Sequence, residues 1–539
     1  MNNVKADYIL TSQAVFRGGG RPVGPAAVAV QGKKIIAVGS EEMMSSLIGP
    51  DTKRMDFGGR LIAPGFHDFH IHLFLGSLVL ATVGLGATKS EEEAAQMVAR
   101  YAATRPNDPW ILGWGWYHVY WDDKVLPHKS TLDKYLPDRP VFLFNAELHG
   151  AWLNSKALEI VGIHRDTPNP PSGHIERDEF GEPTGFLYET AMSLAKQAFK
   201  IPHAQQVELM DGFLRHAAEF GVTSVGDMLP LLDMEFDNLD LYRQYDEQGL
   251  LTTRIHFLST LNGDLTKPVA LREKFNSPAL KFAGLKNFLD GVPTTYTAYL
   301  LNPYSDKPDT RGYPMLDPTE VCEWVAAADK QGFRVRLHAC GDAAVRLGLD
   351  CFETARLRNG SRDARHTIEH IEILDPDDIR RFSDLGVIAS MQPEHLSTSP
   401  IFAENPYLAR FAGARERNTW MIRTLQSRGT HMAFGTDFPV VGLDPFVELY
   451  RAVTRLHDDG QPAGGWNPNE RILLEEALAH YTEGAAYANF RERDLGTLDA
   501  GKFADIIVMD SNPFALEPSA IREVKVLLTM MDGKVVYER

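Results

Sequence analysis

Cysteine is scarce in this 539-residue chain: Cys322, Cys340 and Cys351 are an odd set, with no CxxC pair. That usage argues against a disulfide framework and fits a reducing, cytoplasmic setting. Basic residues are outnumbered, 55 Lys and Arg against 72 Asp and Glu, for a net charge of −17. A general nucleic-acid binder or a protein of anionic membranes needs clustered Lys and Arg, so both are disfavoured. Long apolar runs are missing too. The longest uncharged stretch, "LFLGSLVLATVGLGAT" over 73–88, is too short and too glycine-rich to span a bilayer, and reads as a loop and helix. The opening "MNNVKADYILTSQAVF" lacks the basic and then apolar regions of a secretory signal. No long repeat and no low-complexity tract occurs.

What remains has the length of more than one domain, or of one large barrel with additions. Both ends read as short strands. "ADYILTSQAVF", "AAVAV" and "KKIIAVGS" lie near the start, and "FADIIVMD" and "VKVLLTMMDGKVVYER" near the finish, the last with an Asp532-Gly533 hairpin turn. Neither end buries a sheet face alone. They are therefore expected to pair into one small β-sandwich of residues 1–62 and 496–539. Between them, apolar strands alternate with helical segments: "LIAPGFHDFHIH", "GVTSVGDM", "TRIHFLS", "GLKNFLDG", "FRVRLHACGD", "ARHTIEHI", "GVIASMQP" and "HMAFGTDFP". Eight such strands predict an α/β chain with a (β/α)₈ TIM-type barrel over 63–495, whose active site belongs at the C-terminal strand ends. The gap between the first two strands is too long for one crossover, so roughly residues 75–200 form an insertion.

Polar residues collect at those strand ends. "PGFHDFHIHL" (64–73) places three histidines and an aspartate close together. Strand alternation puts Asp68, His70 and His72 on one face and sends His67 elsewhere. Two imidazoles one residue apart suit one metal ion, with Asp68 available to orient one of them. Later strands add Lys286, His338, His370 and Asp437. Each alone has an ordinary structural explanation; together they suit one or two divalent cations, zinc being the first choice for neutral imidazoles. A buried lysine near cations favours its neutral amine, which reacts with CO₂ to give a carbamate able to bridge two metals. Asp437 would bind one metal and act as the catalytic base toward a metal-activated hydroxide.

These segments, with "NAELHGAWLNSKAL", "ERDEFGEPTGFLYE", "SMQPEH" and "GTLDAGKFADIIVMD", resemble the amidohydrolase superfamily, and within it amidohydrolase family 3, the YtcJ-like branch, over nearly the whole chain. The resemblance implies a mononuclear or binuclear metal hydrolase. It implies His70, His72, His338 and His370 as ligands, Lys286 as the carboxylated bridge and Asp437 as base. His67 departs from the pattern "PGFxDxHxH", where an aliphatic residue is common. His149 matches a family segment read as a substrate contact. His395, just past the seventh strand, is a second candidate contact. His366 lies four residues, roughly 13 Å, below His370 with the same parity, which suits a supporting or packing role. The aromatic run "WILGWGWYHVYW" in the insertion suits a core, or a lid wall facing substrate.

The expected activity is hydrolysis of a C–N bond in a small-molecule amide, such as an N-substituted formamide or a cyclic amide. Ester or carbamate hydrolysis and deamination use the same metal chemistry, so the ligands do not choose among them. A non-catalytic regulatory protein on the same fold is the third reading, disfavoured because every residue the chemistry needs is present. A homodimer is the candidate assembly.

Overall fold

A computed structural model describes residues 4–146, 148, 150–171, 173–228 and 239–539. At its centre eight parallel strands run in chain order: Phe66–Ile71, Val222–Asp227, Arg254–Thr260, Leu280–Phe288, Val335–Ala339, Thr367–His370, Ile388–Met391 and Met432–Phe434. They are called barrel strands 1 to 8. All eight fall on the segments expected from sequence. Strand 8 returns to strand 1 through a parallel bridge between Ile71 and Phe438, with Asp437 N–H donating to His70 O (2.7 Å) and His72 N–H to Phe438 O (2.7 Å). Those bonds close the barrel and set Asp437 beside the histidines. Gly435 allows the approach, since a Cβ there would lie 2.4 Å from the His70 nitrogen.

Before the barrel come Tyr8–Val15, Gly24–Gln31, Lys34–Gly39, Lys53–Asp56 and Leu61–Pro64; after it come Ile506–Met509, Val526–Met531 and Lys534–Glu538. They form one hydrogen-bonded sheet in which Leu61–Pro64 pairs antiparallel with Ile506–Met509 and joins the two ends of the chain. Leu10, Val28, Ile62, Ile506 and Leu528 meet in one buried cluster, which neither terminus builds alone. The Asp532-Gly533 turn has φ of 52° and 72°, the left-handed pair that a two-residue hairpin requires.

The insertion after strand 1 carries a second sheet, in spatial order Val83–Gly84, Ile111–Trp116, Val141–Asn145, Gly150–Leu153, Pro183–Glu189 and Gly173–Arg177. Trp116, Trp121, Trp152 and Phe186 pack into its own core, and Trp116 donates its indole N–H to Leu143 O (2.9 Å). In the aromatic run Trp116 and Trp121 are therefore core, not a wall facing substrate. The apolar stretch after the histidines opens the helix Leu73–Ala81, buried from Leu73 to Leu78. Among the described residues no helix is long and apolar enough to cross a membrane.

One expectation fails. Cys322 and Cys351 form a disulfide, Cα to Cα 4.5 Å. They lie on the helices Pro318–Lys330 and Asp342–Asn359. Those helices flank strand 5 and pack side by side, an adjacency that residue counting does not see. The cysteine argument for a reducing compartment falls with it.

The barrel floor is fastened to the terminal sheet by buried charge. Arg254, fully buried at the start of strand 3, donates from Nε to Asp505 Oδ2 (2.8 Å) and also bonds Asp532 in the hairpin turn. Removing one partner of a buried pair strands the other charge and typically costs about 3–5 kcal/mol. Arg254→Met should lower unfolding stability by about that amount while leaving metal content unchanged. A urea unfolding curve indistinguishable from wild type would contradict this.

Candidate metal centre

The chemistry of the mouth depends on where strand alternation breaks. Strand 1 pairs with strand 2 in a shifting register: His67 lies opposite Ser224, Asp68 opposite Val225 and Ile71 opposite Asp227, so Phe69 and His70 together face Gly226. This is a β-bulge, which re-aims side chains beside sites. Below it His67 points to the barrel floor, where its Nε2 meets Ser224 Oγ (2.9 Å) and Asn489 Nδ2 (2.8 Å) and its ring stacks on His256. Above it His70 turns to the mouth. Asp68 does not share that face. Its carboxylate accepts from the Thr436 hydroxyl (2.7 Å) and backbone N–H (3.0 Å), tying strand 1 to strand 8. The expectation that Asp68 orients an imidazole is thus overturned by the register shift.

A carboxylate does orient His70, and it is Glu369. His70 Nδ1 lies 2.8 Å from Glu369 Oε2, which leaves Nε2 free toward the mouth. Both groups are buried. Arg336 grips the same carboxylate, Nε to Oε1 at 2.5 Å and Nη2 to Oε2 at 3.0 Å, and stacks on the Phe69 ring. Burial would raise the Glu369 pKa, but Arg336 and His70 hold it well below its usual value. Neither Glu369 nor Arg336 was singled out from sequence. The signal lay inside "RHTIEH" and "RVRLHACGD": Glu369 and Arg336 fall on the inward parity of their strands.

His370 follows Glu369 and by alternation belongs outside, in register with Ala339. It adopts φ of +74°, and Ile371 +53°. Such conformations cluster at functional sites, and here they swing the imidazole back inside. Its ring lies 5.0 Å from that of His70 and 4.4 Å from that of His338. His366 therefore does not point with His370. It faces outward, accepting from Val335 N–H (3.1 Å), lying 3.1 Å from Asp329 Oδ1 and stacking on Phe352, a packing role.

Asp437, also at positive φ, sits with Oδ1 3.3 Å from both His70 Nε2 and His72 Nε2. Ligand atoms of His70, His370 and Asp437 all lie within 4.8 Å of one another. His338 sends Nε2 to Gly291 O (3.3 Å) and its ring toward His370. Lys286 is buried in register with Arg336 and so on the inward face. His395 Nε2 lies 3.9 Å from Asp437 Oδ2, and its Nδ1 3.7 Å from Glu372 Oε1. His149 lies outside the described residues.

Burial draws His70 down to about 4 and His338 and His370 well below the ordinary imidazole value, so all three imidazoles are neutral at pH 7 and able to act as ligands. Burial also lowers Lys286 to about 8, within reach of the neutral amine. It would push Asp437 up, but His70, His72 and His395 hold it below its ordinary value. Among the buried polar atoms of the mouth without a hydrogen-bond partner are His72 Nδ1, Lys286 Nζ, His370 Nδ1 and Asp437 Oδ1. Orphaned buried groups are costly, and neutral imidazoles with a carboxylate form the donor set of a borderline divalent cation. The residues fit a metal.

An eight-stranded parallel barrel whose mouth gathers imidazoles and a carboxylate within reach of one another is an arrangement able to hold a divalent metal. The sequence profile described as "Amidohydrolase family" matches residues 53–537, and the chain belongs to that family. It is 31% identical to Protein LONG AFTER FAR-RED 3 of Arabidopsis thaliana, over 99% of this chain and 92% of that one. It is 28% identical to an N-substituted formamide deformylase of Arthrobacter pascens, over 95% of each. A crystal structure of an uncharacterized metal-dependent hydrolase from Pyrococcus horikoshii superposes with a TM-score of 0.79 at 25% identity, over 95% of this chain and 99% of that one.

Carboxylates that orient a metal-binding imidazole typically contribute about 10- to 100-fold in metal affinity. Glu369→Gln should weaken Zn²⁺ binding by about that factor, read by competition with a chromophoric chelator. Affinity equal to wild type would mean that His70 is held by packing alone.

Proposed function

We propose that this protein hydrolyses the C–N bond of a small-molecule amide, with an N-substituted formamide as the first candidate. The observation that carries the reading is the mouth itself, where inward imidazoles, a buried lysine and an ionised aspartate converge. The deformylase relative supports the bond type. His70, His72, Lys286, His338, His370 and Asp437 would hold one or two divalent ions, zinc being the first choice. With two, the Lys286 amine would carry a CO₂-derived carboxylate as the bridge. A bound divalent cation supplies Lewis acidity, which makes water acidic near neutral pH and polarises a carbonyl.

The chain's own residues then do the following. Asp437 is ionised and accepts a proton from the attacking water, at Oδ2, the oxygen turned away from His70 and His72. The water oxygen bonds to the amide carbon. Asp437 passes the proton to the leaving nitrogen as the C–N bond breaks, releasing an acid and an amine. Glu369 fixes the tautomer of His70, and His72 and His395 beside Asp437 favour its ionised carboxylate.

Two measurements test this. Chelation should abolish turnover of formanilide, and Zn²⁺, Mn²⁺ or Co²⁺ should restore it; activity that survives proven metal loss rules the reading out. Asp437→Asn keeps the shape but not the base. General-base catalysis typically contributes about 10²- to 10⁴-fold, so kcat should fall at least about 10²-fold with metal content near wild type. A kcat within about tenfold of wild type at full metal content would assign the proton to another group.

A further inference from the structure

Strand 7 contributes nothing to the ligand set, yet it ends at the mouth. Ser390 is in register with Glu369, whose side chain lies inside the barrel, so Ser390 faces inward. Gln392, two residues on, keeps extended backbone (φ −121°, ψ 90°), so it shares that face one layer higher. Strand 6 on one side ends in His370, and the segment after strand 8 on the other carries Asp437. Gln392 is 1% exposed, and both its amide oxygen and its amide nitrogen are buried without a hydrogen-bond partner. Leaving both ends of a buried carboxamide unmet is unfavourable. Metal ions do not resolve it, because the NH₂ group has only protons to offer.

We infer that Gln392 is a specificity-determining residue that hydrogen-bonds the substrate amide, its carbonyl oxygen accepting the substrate N–H and its NH₂ group meeting a substrate acceptor. This rests on the hydrolase reading above and narrows it: the enzyme selects amides that retain an N–H over tertiary amides and esters. A site built to pair a substrate N–H rejects the analogue lacking it, because its own buried group is then left unpaired.

The test uses three matched probes on metal-loaded protein: formanilide, N-methylformanilide and phenyl formate. Gln392→Met keeps the length and removes both polar groups. Wild type should favour formanilide over N-methylformanilide in kcat/KM. In Gln392→Met, kcat/KM for formanilide should fall by about 10-fold or more, and by clearly more than for N-methylformanilide and phenyl formate, which keep an acceptor but have no N–H to lose. Ser390→Ala, one layer deeper, should leave all three ratios unchanged. Metal content and thermal unfolding of each variant separate loss of the site from loss of recognition. Equal losses on all three probes, loss of metal, or no change at all would each overturn the inference. If wild type cleaves phenyl formate but no amide, the C–N reading fails on its own. Gln392 is then read from inhibition of the ester reaction, where formanilide should inhibit more strongly than N-methylformanilide in wild type and equally in Gln392→Met.

Discussion

Arg336 and Glu369 form an ion pair inside the barrel, neither side chain exposed to solvent. Burying two charges is costly unless the geometry is good and the remaining lone pairs and protons are met. The geometry is good and most groups are met: the pairing is bidentate, Arg336 also donates to Phe69 O (3.0 Å), and the second Glu369 oxygen receives His70, while Arg336 Nη1 is left without a partner. The pair is thus the floor on which the mouth is built. It fixes one imidazole directly and anchors the bulged strand through the Phe69 carbonyl.

Above this floor the interior changes character. Its groups are neutral imidazoles, an amine drawn toward neutrality and one carboxylate, Asp437, held ionised by its neighbours. Desolvation supplies the first two effects and proximity the third. The same burial that makes the histidines good ligands leaves several polar atoms unmet. A protein tolerates such groups where something else completes them; in the function proposed above, a cation would do so for His72, Lys286 and His370, and a substrate amide for Gln392.

The rest of the chain supports that mouth. The terminal sheet grips the floor through Arg254, Asp505 and Asp532. The insertion encloses an aromatic core on one face, while Phe142, Phe144, Leu153 and Leu187 on the other share the buried cluster of the barrel. Strand 8 brings Asp437 to the histidines by backbone bonds to strand 1, so the assembly of the candidate site and the closure of the barrel are one event.

The residue types at the strand ends, and the apolar period of each strand, were legible along the chain. They pointed to the eight barrel strands, the paired termini and the insertion, and to His70, His72, Lys286, His338, His370 and Asp437 as residues that the barrel brings to one mouth. A local pattern suffices there because an apolar strand ended by a turn signal looks the same in any context. Side-chain direction was legible only where alternation held. In strand 1 the bulge opposite Gly226 sends Asp68 to Thr436 and His67 to the floor. In strand 6 the positive φ of His370 separates it from His366. The Cys322–Cys351 pairing and the Glu369–Arg336–His70 cluster join residues far apart in the chain. The physical reason is the same in each case: register and left-handed backbone are imposed by neighbouring strands when the barrel closes, and no local stretch of sequence carries that information.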